Sequence, residues 1–216
     1  MRLVIAGGHG KIALLTTGLL ARRGDQVVSL VRDPDHFDDV RAAGGSPVLC
    51  DLERTTEDEL ARVLGGADAA LFAAGAGPGS GVARKDAVDR EAARLFAAAA
   101  VAAEVSRYVQ ISTTGIGRVT GDEVFDAYLR AKAAADDALR ALPLAWTILR
   151  PGRLTDEPGT GLVEVSEREL RGQVPRADVA AVVVESLARP ETARHVYEVV
   201  SGSTPVAEAF PSTRSR

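Results

Sequence analysis

A chain of 216 residues, 46% hydrophobic and 26% charged, has the size and composition of one soluble globular domain. A net charge of −4 argues against nucleic acid or an anionic membrane as partner, and no apolar run approaches the roughly 20 residues that span a bilayer. The single cysteine, Cys50, excludes an internal disulfide, and with no basic leader or small-residue cleavage site at the start the expected location is the cytoplasm.

Short β-branched runs alternate with Ala/Leu-rich helical segments, the pattern of βαβ units around a parallel sheet. The first strand, Leu3–Ala6, leads into Gly7-Gly8-His9-Gly10-Lys11-Ile12-Ala13 and a helix expected over Lys11–Arg23. This G-x-x-G-x-x-A spacing suits a phosphate site. Gly7 permits a tight turn, Gly10 lets backbone approach a pyrophosphate, and Ala13 lets the helix pack close to the sheet. The second strand, Gln26–Val31, is followed by Arg32, where an NAD-selective site usually carries an acidic residue. A guanidinium there fits a 2′-phosphate, so the expected cofactor is NADP (as NADPH), with NAD second. Asp33 opposes that preference unless it caps the turn before Pro34, and His36 either assists the phosphate or, the reading preferred, lies on the surface of a helix over Asp35–Ala43. The third strand, Pro47–Cys50, ends on Asp51-Leu52, where Asp51 either accepts from an adenine amino group or caps the next helix, Thr56–Leu64. Cys50 reads as a small buried residue. The fourth strand, Ala69–Ala73, runs into Ala73-Ala74-Gly75-Ala76-Gly77, small residues that leave room for a cofactor crossing the sheet edge.

After a helix over Asp86–Ala103, the fifth strand, Tyr108–Ser112, ends in the hydroxyls of Ser112, Thr113 and Thr114. The helix Val124–Ala141 then carries Tyr128 and Lys132 four residues apart, on one face. That arrangement suits carbonyl reduction. Tyr128 donates a proton, Lys132 lowers the phenol pKa and bonds the nicotinamide ribose, and a hydroxyl from Ser112 or Thr113 steadies the substrate oxygen. Against 23 arginines there are only three lysines, Lys11, Lys85 and Lys132, at the phosphate turn, the loop helix and the Tyr-Lys pair. The sixth strand, Ala145–Arg150, places Trp146 in the core. Residues 151–175 are Gly-rich and polar, with a short strand expected at Leu162–Val165, and read as a loop over a ligand crevice. A helix Arg176–Leu187 and a strand His195–Val199 follow, and from 203 to 216 the composition reads as a loose tail. The expected fold is therefore a Rossmann-type α/β doubly wound parallel sheet, one three-layer domain over 1–202. Loops 75–85 and 151–175 would cover a small-molecule substrate, and no metal cluster or separate substrate domain is expected.

The chain resembles the atypical short-chain dehydrogenase/reductases, in particular the compact NAD(P)-binding group also described as NmrA-like. The resemblance covers about residues 1–200 and rests on the Gly7–Ala13 turn, Val31-Arg32, Asp51-Leu52, Ala73-Ala74-Gly75, Tyr128 with Ala131-Lys132, and Arg150-Pro151-Gly152. The loop Gly75-Ala76-Gly77-Pro78-Gly79, Lys85, Val88-Asp89 and Glu157-Pro158-Gly159-Thr160-Gly161 are similar to its small bacterial members. The resemblance implies a Rossmann fold and NADP(H) held at Gly7, Gly8, His9, Gly10, Lys11, Ile12, Arg32, Asp51, Leu52, Ala73, Ala74, Gly75 and Pro151. It also implies oxidoreductase chemistry on a small carbonyl, quinone or flavin-like acceptor. Such proteins also include non-catalytic cofactor sensors, the alternative here, and sugar-nucleotide epimerases, disfavoured because only about 65 residues follow Arg150.

Overall fold

Leu3, Val4, Ile5 and Ala6 are all fully buried although successive side chains of a strand point to opposite faces. A strand apolar on both faces is stable only at the centre of a sheet covered on both sides. The computed structural model, which describes residues 1–77 and 79–211, places it there. β1 (Arg2–Ala6) pairs in parallel with β2 (Gln26–Val31) on one side and β4 (Ala69–Phe72) on the other. With β3 (Ser46–Leu49), β5 (Arg107–Ile111), β6 (Ala145–Pro151), β8 (Leu162–Ser166), β10 (His195–Ser201) and β11 (Thr204–Pro205), the sheet order is β11-β8-β10-β6-β5-β4-β1-β2-β3. The strands from β3 to β10 run parallel, while β8 lies antiparallel against β10 and β11 against β8. From β1 the chain winds out through β2 to β3, then returns to the other side of β1 as β4. The crevice at the carboxyl ends of β1 and β4 is thus the topological switch point where open α/β sheets hold their ligands.

Two apolar layers flank the sheet. Leu3, Ile5, Leu71 and Leu149 pack with Ile12, Ala13 and Leu20 of α1 (Lys11–Arg22) and Val179 and Val183 of α7 (Arg176–Ala188). On the other face, Val4, Phe72, Tyr108 and Ile148 pack with α3 (Glu57–Leu64), α5 (Ala93–Ala102) and α6 (Glu123–Arg140) through Leu60, Phe96 and Leu139. The helix starts follow local chemistry. Thr56 and Glu59 form a capping box on α3, and the Asp122 carboxylate accepts the Phe125 N–H (2.9 Å) to cap α6. The short α2 (Phe37–Ala42) follows a 3₁₀ turn at Pro34–His36.

Three segments differ from the sequence expectation. The helix expected from Asp86 begins earlier, as α4 (Val82–Arg84), and winds as a π-helix over Lys85–Ala92 before α5. The widened turns carry Val88, Asp89 and Ala92 inward. Residues 151–175 hold not only β8 but β7 (Arg153–Thr155) and β9 (Gln173–Pro175), which pair with each other as a two-stranded parallel sheet. The tail expected to be loose from 203 is instead placed on the sheet. β11 pairs with β8, and Phe210 is buried edge-on against Tyr197, ring centroids 5.1 Å apart. The rest of that tail, 212–216, and Pro78 of the 75–79 loop lie outside the described residues. Among the described residues no helix is long and apolar enough to cross a membrane.

Candidate functional site

The glycine turn after β1 is shaped by close backbone approaches. Gly7 has φ +78°, and a Cβ there would lie 2.6 Å from the Ala74 backbone. At Gly8 a Cβ would fall 2.4 Å from the Ser29 Cβ. Gly10 is the N-cap of α1 and has no side chain with which to cap it, so the first-turn N–H groups and the positive end of the helix face the crevice. No acidic residue occupies that first turn. The cradle fits a pyrophosphate both in shape and in donors.

An open cleft of about 300 Å³ runs from this turn across the ends of β2, β3 and β4. Gly7, Gly8, His9 and Gly10 form one end, Arg32, Asp51 and Leu52 the other, and Ala73, Ala74 and Gly75 the floor between them. Ten of the thirteen residues proposed for cofactor contact therefore share one cleft; the other three do not line it. Lys11 is exposed and donates to Asp156 (2.6 Å), which Arg176 also binds (2.7 Å), tying the phosphate turn to the segment after β7. Both cations hold the Asp156 carboxyl below its ordinary value. Ile12 is buried, and Pro151 is buried within β6.

At the Arg32 end of the cleft, the Arg32 guanidinium lies 3.9 Å and that of Arg84 3.3 Å from the Glu53 carboxylate. Asp33 is engaged elsewhere, its carboxylate accepting the Asp35 N–H (3.0 Å) and capping the turn at Pro34. Asp51 does not cap α3. One of its oxygens accepts the Glu53 N–H (3.0 Å) in a tight turn. His36, expected on an outer helix face, lines the cleft, its ring stacked 3.5 Å from that of His9. Cys50 also borders it, half-buried, with its thiol pushed up by burial and so kept protonated. Sequence reasoning did not assign Glu53, Arg84 or Val88 to the cleft: Glu53 directly follows Asp51-Leu52, Val88 carries only its likeness to small bacterial members, and Arg84 lies in a segment with no nucleotide-binding pattern of its own.

Tyr128 is half-buried and lines a second cleft, with Lys85 and Phe125 beside it. Lys132, one turn further along α6, is buried instead. Its ammonium donates to the Ile111 carbonyl (3.2 Å) and lies 3.2 Å from the fully buried Asp89 carboxylate. Among the described residues no hydrogen bond joins Tyr128 to Lys132. Asp89 also accepts the Ala76 N–H (3.2 Å), so one buried ion pair links the ends of β4 and β5 to the π-helix and α6. Asp89 is a residue that the helical spacing of Tyr128 and Lys132 could not reveal.

The strand-five hydroxyls separate by burial. Ser112 is buried and donates to Asp136 (3.0 Å), which also accepts from Gln110 (2.8 Å) and Arg150 (2.8 and 3.0 Å). Burial pushes the Asp136 carboxyl up, against the pull of Arg150. Thr113, next along the chain, is half-buried at the carboxyl end of β5. The Glu157–Gly161 motif proves to be a fastening. Asp178 on α7 accepts from the Thr160 N–H (3.0 Å) and hydroxyl (3.1 Å) and from the Gly161 N–H (2.8 Å). A Cβ at Gly159 would lie 2.8 Å from that carboxylate.

A sequence profile of the NAD(P)H-binding family matches residues 7–190. The chain is 34% identical to an uncharacterized sugar epimerase of Bacillus subtilis (strain 168), over 97% of this chain and 99% of that one. It superposes on a putative NAD-dependent epimerase/dehydratase from Bacillus halodurans with a TM-score of 0.87 at 32% identity, covering 96% and 97% of the two chains. An oxidoreductase from Lactococcus lactis gives 0.84 at 26% identity, covering 97% and 94%.

Proposed function

Because the chain belongs to the NAD(P)H-binding family, we propose that it is an NADPH-dependent oxidoreductase of the short-chain dehydrogenase/reductase type, reducing a small carbonyl, quinone or flavin-like acceptor. The observation that carries the reading is the placing of two clefts on either side of one loop. Gly77 lines the cradle cleft, and its carbonyl accepts from Lys85 (2.9 Å), which lines the Tyr128 cleft. The preference for NADPH rests on Arg32 and Arg84. A 2′-phosphate would replace the weak exposed pairing with Glu53 by charge-assisted bonds to two guanidinium groups.

When bound, reduced nicotinamide supplies a hydride. The chain supplies the rest. The Tyr128 hydroxyl delivers the proton to the acceptor oxygen, and the Thr113 hydroxyl steadies that oxygen. Lys132 acts from beneath, holding the ends of β4 and β5 through Asp89 and the Ile111 carbonyl. Ser112 holds Asp136 and so braces α6 against β5. Epimerase chemistry would use the same tyrosine. Among the described residues, however, the segment after Arg150 forms β7 to β11 and α7 rather than a separate substrate lobe, so that reading stands second.

The test is NADPH consumption with a panel of quinone, flavin and aldehyde acceptors. Tyr128→Phe should lower turnover by about 10²–10⁴-fold while leaving NADPH affinity in place. Equal turnover by the variant would remove Tyr128 from the mechanism. Binding of NADPH without consumption of it by any acceptor would favour a cofactor-sensing protein.

A further inference from the structure

Eight large hydrophobic side chains are exposed among the described residues, and four of them border the Tyr128 cleft or the segments that form it. Val124 and Phe125 line the cleft. Val82 stands one turn from Lys85, and Val119 precedes the Thr120-Gly121 backbone that Asp126 anchors to α6 (2.8 and 3.2 Å). The rings of Phe125 and Tyr128 lie 5.9 Å apart at 31°, forming an aromatic wall. Exposed apolar surface gathered around one concavity marks a binding site.

Lys85 gives the cleft its polarity. Lys11 is paired with Asp156 and Lys132 with Asp89, but the Lys85 ammonium meets no carboxylate within salt-bridge distance among the described residues. It lies 5.1 Å from the Tyr128 ring centroid and donates to the Gly77 carbonyl. The one carboxylate lining the cleft, Asp122, is engaged by the Phe125 N–H at the positive end of α6. The cleft therefore offers an aromatic wall, an aliphatic rim and a cation without an ion-pair partner, with the Ser80 hydroxyl and the Asp122 carboxylate, held at the start of α6, as its other polar groups.

We propose that this cleft binds a flat conjugated ring carrying a single anionic substituent, the ring against Phe125 and Tyr128 and the anion on Lys85. The volume, about 290 Å³, is at the low end for small-molecule pockets and limits the occupant to about two fused rings. That this ligand is the electron acceptor rests on the oxidoreductase reading above; that it binds here does not.

The experiment separates the two. Calorimetry without cofactor would compare three probes: naphthoquinone sulfonate, unsubstituted naphthoquinone and cyclohexane sulfonate. The first should bind about fivefold more tightly than the second, and far more tightly than the third. Lys85→Met should abolish the preference for the sulfonate. Phe125→Ala, at an exposed position, should weaken both quinones at least threefold with an unchanged melting temperature. An undiminished sulfonate preference in K85M, or equal binding of cyclohexane sulfonate, overturns the proposal. NADPH consumption is then read with the same probes. Lys85-dependent binding without consumption leaves the ligand assignment standing and removes the reductase reading. Consumption indifferent to Lys85 and Phe125 does the reverse.

Discussion

Asp89→Asn tests the pair on which the site is mounted. The carboxylate is fully buried and Lys132 is 5% exposed, so solvent screens the pair little. One Asp89 oxygen lies 3.2 Å from the Lys132 ammonium, yet that oxygen has no well-directed hydrogen bond; the attraction is chiefly Coulombic. Asparagine keeps the shape and an acceptor for the Ala76 N–H, and removes only the charge. Two unit charges at this separation interact by about 5 kcal/mol at an effective dielectric of ~20, and stranding one buried partner costs about 3–5 kcal/mol. The expected loss is about 3 kcal/mol, a drop of roughly 6–12 °C in Tm for a domain of this size. Urea and thermal unfolding measure it. Adding Lys132→Met removes the stranded ammonium and should restore about 2 kcal/mol. A single-variant loss below about 1 kcal/mol, or strictly additive losses in the double variant, would refute the reasoning.

Arg32→Ala should weaken NADPH binding about ten- to hundredfold while leaving NADH nearly unchanged, since it removes charge-assisted bonds that only the 2′-phosphate makes. Glu53→Gln should tighten NADPH about threefold by freeing both arginines. Fluorescence titration with the two cofactors reads both variants, and equal losses for both cofactors in R32A would contradict the assignment. Gly8→Ala forces Ser29 aside and should cost about 2 kcal/mol of stability and most of the cofactor affinity. Unchanged melting and binding would show that the turn tolerates a side chain. The Asp126 carboxyl is held low by the Thr120 N–H and hydroxyl and by the Gly121 N–H. Its depressed folded pKa contributes stability above the ordinary carboxylate range that is lost as pH falls through the lowered value. Amide exchange at Thr120 and Gly121, corrected for the intrinsic rate, should rise in acid, and in Asp126→Asn it should already be raised at neutral pH.

The parallel strands were legible because burial on both faces leaves runs dominated by apolar and β-branched residues, broken by single polar groups such as Ser29 and Gln110; Gln26–Val31 is observed as expected, and β1, β5 and β6 match to within one residue at either end. β7, β9 and β11 were not legible, being two or three residues long and set by their partners rather than by any local pattern. The π-helix at Lys85–Ala92 has the composition of an ordinary helix. Its wider turns accompany the burial of Asp89, which meets Lys132 and accepts the Ala76 N–H, two tertiary contacts that no local pattern announces.

The same distinction divides the site. Its phosphate end is made of backbone, and backbone demands are written as glycine positions: Gly7 for φ, Gly8 for Ser29, Gly10 for an uncapped helix. Spacing together with the strand–turn–helix context is therefore what proposes it. The proposed acceptor end is made of side chains from α4, the π-helix and α6, and a four-residue spacing states only that Tyr128 and Lys132 share a helix side. It does not say that the side curves from an open cleft at Tyr128 to the buried Asp89 at Lys132 within a single turn. The scarcity of lysine is the signal that survives this loss. Arginine supplies nearly all basic positions, and the three lysines stand against Asp156, against Asp89, and, at Lys85, against no carboxylate among the described residues. At Lys85, half-buried in an open cleft, a bound anion would meet a cation that no carboxylate pairs among the described residues, which is the ground for the ligand proposed there.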